Sequence, residues 1–370
     1  MRSRVLSMVV FEGGRPNGKV DTWLSGIRGR MAAELALKGL GCGAFAEVLL
    51  VGDRDIETDP RIRKVDSSHY RPFHFGRALT RVLKEQEIDG FCYFSGGSAS
   101  LYSEADLMRF ARTVEREEGA IVANNAYSAD FFGCSTSSAF LSEDLPDQDN
   151  CMPIYLADRG RAKLAPLPYS PEASFDVDTP TDAIILAMSG RCAGTIEDAV
   201  MEGPPGMPEG RFRRCVQRIR GIKELMHKEF TDITLMGRVG PASVMELNRL
   251  TRCRYRLFSE ERGMRSFGRD AEGTARTFMA GMMRMMGVKG ALEFMMSQTE
   301  GFLFDDRVLF AAMGAKPRAE ERYLCDLMAW ELLPEGLLKD LAKAALEVDG
   351  VCLGGHSLVN SGAVVLAGQA

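Results

Sequence analysis

The chain has 370 residues, 45% of them hydrophobic and 26% charged, the make-up of a globular protein long enough for two domains. Its formal net charge of −5 supplies no basic field for nucleic acid. No window offers the roughly 18 uninterrupted apolar residues of a membrane span. Nine scattered cysteines without a Cys-x-x-Cys pair point to a reducing cytoplasm and away from a disulfide framework or zinc ribbon, and four histidines are too few for a histidine-built site.

The N-terminus, MRSRVLSMVVFEGG, holds a short apolar run, and Glu12 falls where a leader would need its cleavage site. It therefore reads as a first strand over 5–11, followed by a Gly-rich loop over 13–18. A helix over 29–40 and a strand over 46–51 come next. A helix over 74–86 leads to a strand at 90–94. That strand breaks at Ser95-Gly96-Gly97-Ser98, and a helix over 103–117 and a strand over 119–123 follow. This repeated strand–helix alternation predicts a mainly parallel sheet flanked by helices. Ligands of such sheets bind beyond the carboxyl ends of the strands. Here those ends are 12–19, 52–55, 95–98 and 124–130.

The segment MPIYLADRGRAKLAPLP reads as hairpin-like, and a helix over 181–188 follows. Gly and Pro gather at 190–210, which sets the expected domains at 1–190 and 205–370. The second half shows a helix over 210–228, with Arg211, Arg214 and Arg218 on its expected solvated face. Strand 232–237, helix 242–250 and strand 254–258 come next. Helices dominate to about 348, and a last strand at 350–353 ends in Gly354-Gly355-His356-Ser357. The expected second domain is thus helix-rich and α/β. The methionine-rich 278–296 stretch suits an adaptable core, a partner surface or an apolar pocket. In FSEERGMR, Glu260, Glu261, Arg262 and Arg265 suit either an acceptor site or a solvated loop of ion pairs.

Three clusters lie at strand ends. VVFEGGRPNGK exposes backbone N–H groups next to Arg15 and Lys19, as a phosphate loop does, although the residue after Lys19 is Val20 and the P-loop pattern fails. SGGSASLYSEADL and ANNAYSAD follow later strands. A fourth cluster, DVDTPTD at 176–182, places Asp178 where a helix cap or a ligand would be expected.

In this order the motifs resemble nucleotidyltransferases of the nucleotide-diphospho-sugar transferase fold, those acting on molybdenum-cofactor, phospholactate or sugar-phosphate acceptors. The resemblance covers about residues 1–190. It rests on Glu12-Gly13-Gly14-Arg15 with Lys19, on Gly29-Arg30-Met31 as a helix start, on Gly96-Gly97-Ser98-Ala99, and on Asp176 to Asp182. It implies an enzyme that joins an NTP to a phosphorylated or carboxylated small acceptor and releases pyrophosphate. Gly13, Gly14, Gly96, Gly97, Ser98, Asn124 and Asn125 would then bind the nucleotide. Arg15 and Lys19 would be the catalytic cations, and Asp178 with Asp176 would hold Mg²⁺. The family's Gly-Asp aspartate is replaced here by Gly97 or Ser98. The second domain would close over the acceptor or form a dimer surface. Two other readings stay open: a non-catalytic nucleotide or metabolite binder on the same fold, and a nucleotide-sugar glycosyltransferase.

Overall fold

A computed structural model describes residues 6–265 and 267–368. Val5, expected at the start of the first strand, lies outside the described residues. The chain divides into two compact units. One runs to Arg15 and from Arg28 to Asp176; the other comprises Pro16–Ile27 and the described chain from Val177 onward. The Gly/Pro-rich stretch at 190–210 lies inside the second unit.

The first unit holds β1 (Leu6–Phe11), β2 (Glu47–Gly52), β3 (Arg63–Asp66), β4 (Gly90–Ser95), β5 (Ala120–Ala123), β6 (Phe131–Cys134) and β7 (Lys163–Pro166). They form one sheet in the order β3-β2-β1-β4-β6-β5-β7. Every pairing is parallel except those of β6, which runs antiparallel to β4 and β5. Side chains alternate across a strand, so β1 feeds two cores. Met8 and Val10 pack with Leu35, Phe94 and Phe110 on one face. Val9 packs with Leu49, Leu79, Val82 and Phe132 on the other. Register aligns Phe11 with both Val51 and Ser95, so β1, β2 and β4 end level. The chain moves from β1 to β2 on one side and to β4 on the other, which makes the gap between β1 and β4 a topological switch point.

The second unit holds β8 (Asp232–Gly237), β9 (Arg254–Ser259), β10 (Gly301–Asp305) and β11 (Val351–Gly354), in the order β11-β10-β8-β9. All pairings are parallel. Its switch point lies between β8 and β10. The expected α/β class, a mainly parallel sheet with helices plus a second helix-rich α/β domain, is what the chain forms.

Several local expectations need correction. The helix expected from residue 29 spans Lys19–Gly41, so Gly29-Arg30-Met31 lies within it. Buried Val20, Leu24, Ile27 and Met31 keep helical spacing through that earlier stretch. The hairpin-like segment is a helix, Met152–Asp158, followed by β7. β3, β6 and β10 went unread, because four- and five-residue strands carry little periodicity. On the helix Arg211–Met226 the expected solvated face holds for Arg214, which is 47% exposed, but not for Arg211 and Arg218. Arg218 is only 7% exposed and donates to the carbonyls of Val351 and Leu346 at 3.0 Å each, and Arg211 pairs with Glu331 at 2.6 Å. The methionine-rich helix Phe278–Met296 kinks at Gly287, buries Met279, Met283 and Met295, and exposes Met285 and Met286. Among the described residues no helix is long and apolar enough to cross a membrane.

Candidate nucleotide site

At the switch point of the first sheet, the loops after β1, β2 and β4 interlock. The Glu12 N–H donates to Val51 O at 3.0 Å, which continues the sheet by one residue. A Cβ at Gly52 would collide with Glu12 O, and one at Gly96 would collide with the Glu12 carboxylate. These glycines are therefore required by close approach and not by turn conformation. They leave room for the Glu12 side chain, which is 2% exposed. Arg54 donates to its Oε1, and Arg28 lies 3.4 Å from its Oε2. Asp53 works the same way one strand over. Its Oδ1 accepts the Gly14 N–H at 2.8 Å, and Arg71 donates to its Oδ2. This edge thus carries two clamped carboxylates and three guanidinium groups on them.

Gly13 and Arg15 are exposed, and neither the Gly13 N–H nor the Arg15 guanidinium makes a hydrogen bond or ion pair among the described residues. Gly14 takes φ +101°, a conformation that favours glycine. The β4 loop is largely self-satisfied. Gly96, Gly97 and Ser98 are buried, and the Ser98 hydroxyl donates to Ser95 O at 2.8 Å. Asn124 is fully spent. Its Oδ1 accepts from the N–H groups of Asp130 and Phe131, and its Nδ2 donates to Asp130 Oδ2 and Ala173 O. Asn125 is exposed, and its Oδ1 accepts the Tyr127 N–H at 3.0 Å.

Lys19 and Asp178 belong to the second unit, whereas Asp176 belongs to the first. Lys19 is the first residue of its helix and is exposed. The N-terminal N–H groups behind it are occupied by the protein itself: Val20 and Asp21 donate to the Glu320 carboxylate at 3.2 and 2.8 Å. Gly18 is needed there, since a Cβ would strike Glu320. A carboxylate from the helix Ala319–Asp326 therefore fills the kind of nest that binds phosphate.

The DTPTD motif is a helix cap. Thr179 caps the helix Pro180–Met188 and accepts the Asp182 N–H, while Asp182 Oδ2 accepts from Thr179 N at 2.9 Å and from its hydroxyl at 2.7 Å. Burial lifts the Asp182 carboxyl to about 8, against the pull of Thr179 and with a further push from Asp178. Asp178 itself is exposed and faces Arg238 and His356 electrostatically.

Asp176 closes the first unit and Asp178 lies just inside the second, and Glu12 and Asp53 already hold arginines. Among the described residues no group of three or more His, Cys, Asp and Glu side chains stands where it could hold a metal ion. An open depression of about 550 Å³ in the second unit is lined by Glu197, Arg220, Lys223, Glu224 and His227 among others, and none of its lining comes from a strand end.

The strand end 52–55 is a ligand edge by sequence, but the pairing of Asp53 with Gly14 and Arg71, and of Glu12 with Arg28 and Arg54, appears only in the structure. A charged residue directly after an apolar strand run, as at Phe11-Glu12 and Gly52-Asp53-Arg54, is the signal that was there to read.

No protein-family model matches the sequence, and no curated protein matches it. A solved structure with some similarity is that of CMP:2-keto-3-deoxy-manno-octonic acid synthetase complexed with CTP. It shares 11% identity over 44% of this chain and 89% of that one, with a TM-score of 0.31. A likeness at that level leaves the activity to be argued from this chain's own residues.

Proposed function

We propose that the chain binds a nucleoside triphosphate at the carboxyl edge of the first sheet and transfers its nucleotidyl group to a phosphorylated or carboxylated small acceptor. An acceptor oxygen forms a bond to the α-phosphorus, the α–β phosphoanhydride bond breaks, pyrophosphate leaves, and any acceptor proton passes to solvent. The observation that carries this reading is the charge at the switch point. Arg15, Arg28, Arg54 and Arg71 outnumber Glu12 and Asp53, and the Gly13 N–H and Arg15 are unspent. Guanidinium groups and exposed backbone N–H groups suit phosphate oxygens, and catalysis of this kind is mostly positioning and charge neutralisation. The motif resemblance over 1–190 supports the same reading. The proposed transfer itself is written without a protein-held metal.

A second reading, a nucleotide binder without turnover, is favoured by the arginines on Glu12 and Asp53, which engage those two carboxylates. Pyrophosphate release separates the two. The protein is incubated with each NTP and a mixture of phosphorylated and carboxylated acceptors, with and without Mg²⁺. Release that depends on one NTP and one acceptor supports transfer. Nucleotide binding with no release under any condition sinks it and leaves the second reading standing.

A further inference from the structure

The two edge strands of the second sheet are covered very differently. β11 is buried at every residue. No residue of β9 is buried, although β8 beside it is buried at all but Asp232. Strands of a parallel sheet are normally covered on both faces. Among the described strands β9 pairs with β8 alone, so its far side is an open edge. Hydrogen bonding fixes which groups lie there. The N–H groups of Arg254 and Glu260 donate inward, to Thr231 O and Gly237 O at 2.8 Å each. Backbone groups alternate along a strand, so those of Tyr255, Leu257 and Ser259 face away from β8. They have no hydrogen-bond partner among the described residues.

An apolar surface continues from this edge. Leu257 is exposed, and the Phe258 ring meets that of Phe278 with 6.1 Å between centroids. Phe278 opens the helix Phe278–Met296 and is 70% exposed. Met282 and Met285 follow at i+4 and i+7 on the same helical face, before the kink at Gly287. Met285 is 85% exposed. Glu260 ties strand to helix by accepting the Phe278 N–H at 2.8 Å. Uncovered large apolar side chains beside an unpaired strand mark an interaction surface.

We propose that β9 pairs antiparallel with β9 of a second copy of this chain, about a two-fold axis at Leu257, which joins two four-stranded sheets into one. The strand is complementary to itself, and charge selects the register. Two antiparallel registers bring the outward groups together over most of the strand, one pairing 254–258 and the other 255–259. The first is centred on Arg256 and sets it against the partner subunit's Arg256. The second is centred on Leu257 and sets it against the partner subunit's Leu257. Tyr255 then lies opposite the partner subunit's Ser259, Arg256 opposite the partner subunit's Phe258, and Arg254 opposite the partner subunit's Glu260. Like charges directly opposite destabilise a ladder, whereas here each arginine meets an aromatic ring or a carboxylate. The two-fold axis repeats every contact.

Sedimentation equilibrium of the full chain tests the assembly, and introduced cysteines test the register. The wild type is expected to dimerise at micromolar concentration. Leu257→Lys sets two ammonium groups together on the axis while keeping the bonds to β8, and weakens association about tenfold or more. Leu257→Met keeps the dimer. In an antiparallel hydrogen-bonded pair the Cα atoms lie about 5.5 Å apart, within reach of a disulfide. Leu257→Cys therefore gives a covalent dimer on mild oxidation, and Tyr255→Cys does not. Wild-type chain under the same oxidant controls for the nine native cysteines. A wild type that stays monomeric to about 0.1 mM overturns the proposal, even where an unrelated extended peptide binds the edge. So does a dimer that Leu257→Lys leaves intact or that Leu257→Cys fails to cross-link. Should Leu257→Lys misfold, wild-type sedimentation and the cysteine variants decide. None of these readouts depends on nucleotide binding at the first sheet.

Discussion

The two sheets place their charges differently relative to their ligand edges. In the first unit the acids stand at the rim: Glu12 and Asp53 hold Arg28, Arg54 and Arg71 where a ligand would arrive. In the second unit Asp305, Asp306 and Asp326 lie beneath the rim and satisfy Arg238 and Arg307. A phosphate at the first edge must compete with existing ion pairs for most of its cations, with Arg15 as the exception. Buried pairs of this kind contribute little net stability while intact, but breaking one is expensive.

The sharpest way to break this contrast is at the deep network. Arg307→Leu leaves Asp306 and Asp326 buried together without their cation, and should cost about 3–5 kcal/mol in chemical denaturation. Glu12→Leu leaves Arg28 and Arg54 facing each other. Those guanidinium groups are 22–29% exposed and partly screened, so the expected loss is smaller, about 2–3 kcal/mol. If Glu12→Leu proved the more damaging of the two, the assignment of rim and floor would be inverted.

Asp182 supplies a pH test within the second unit. Its carboxyl sits near 8 in the folded chain and near 3.9 when unfolded. The folded state therefore holds a proton that the unfolded state has released between those values. The resulting stability is fully present below about pH 4 and is lost as pH rises through 8, with a slope of up to about 1.4 kcal/mol per pH unit. Denaturation midpoints of the wild type and Asp182→Asn compared across this range should show that slope only in the wild type. Parallel curves would remove the raised pKa. The smallest expected effect is at Glu320. Glu320→Ala uncovers two helix N–H groups and should cost about 1 kcal/mol.

Strand–helix alternation made β1, β2 and β4 of the first sheet and β8, β9 and β11 of the second legible from sequence, because apolar runs such as LSMVVF and DITLMG specify strands on their own. Short strands were the weak point. GFLFD at 301–305 looks like a brief apolar patch between helices, yet it is an interior strand of its sheet and carries Asp305. Gly96 at the turn after its strand was legible as part of a ligand edge. What approaches Gly96 is a carboxylate from the neighbouring strand, and sequence spacing cannot show that. In DVDTPTD a helix cap or a ligand was expected at Asp178, and the cap that forms is the box of Thr179 and Asp182, because Thr-x-x-Asp before an apolar helix satisfies its first N–H groups.

The central claim is that the first sheet's edge binds a nucleotide through its arginines. Equilibrium titration of the full chain with each NTP, repeated on Arg15→Ala and Arg54→Ala, tests it most directly. The account predicts binding of at least one NTP by the wild type and affinity about tenfold lower in each variant. Absence of binding to every NTP, or undiminished affinity in both variants, would contradict it.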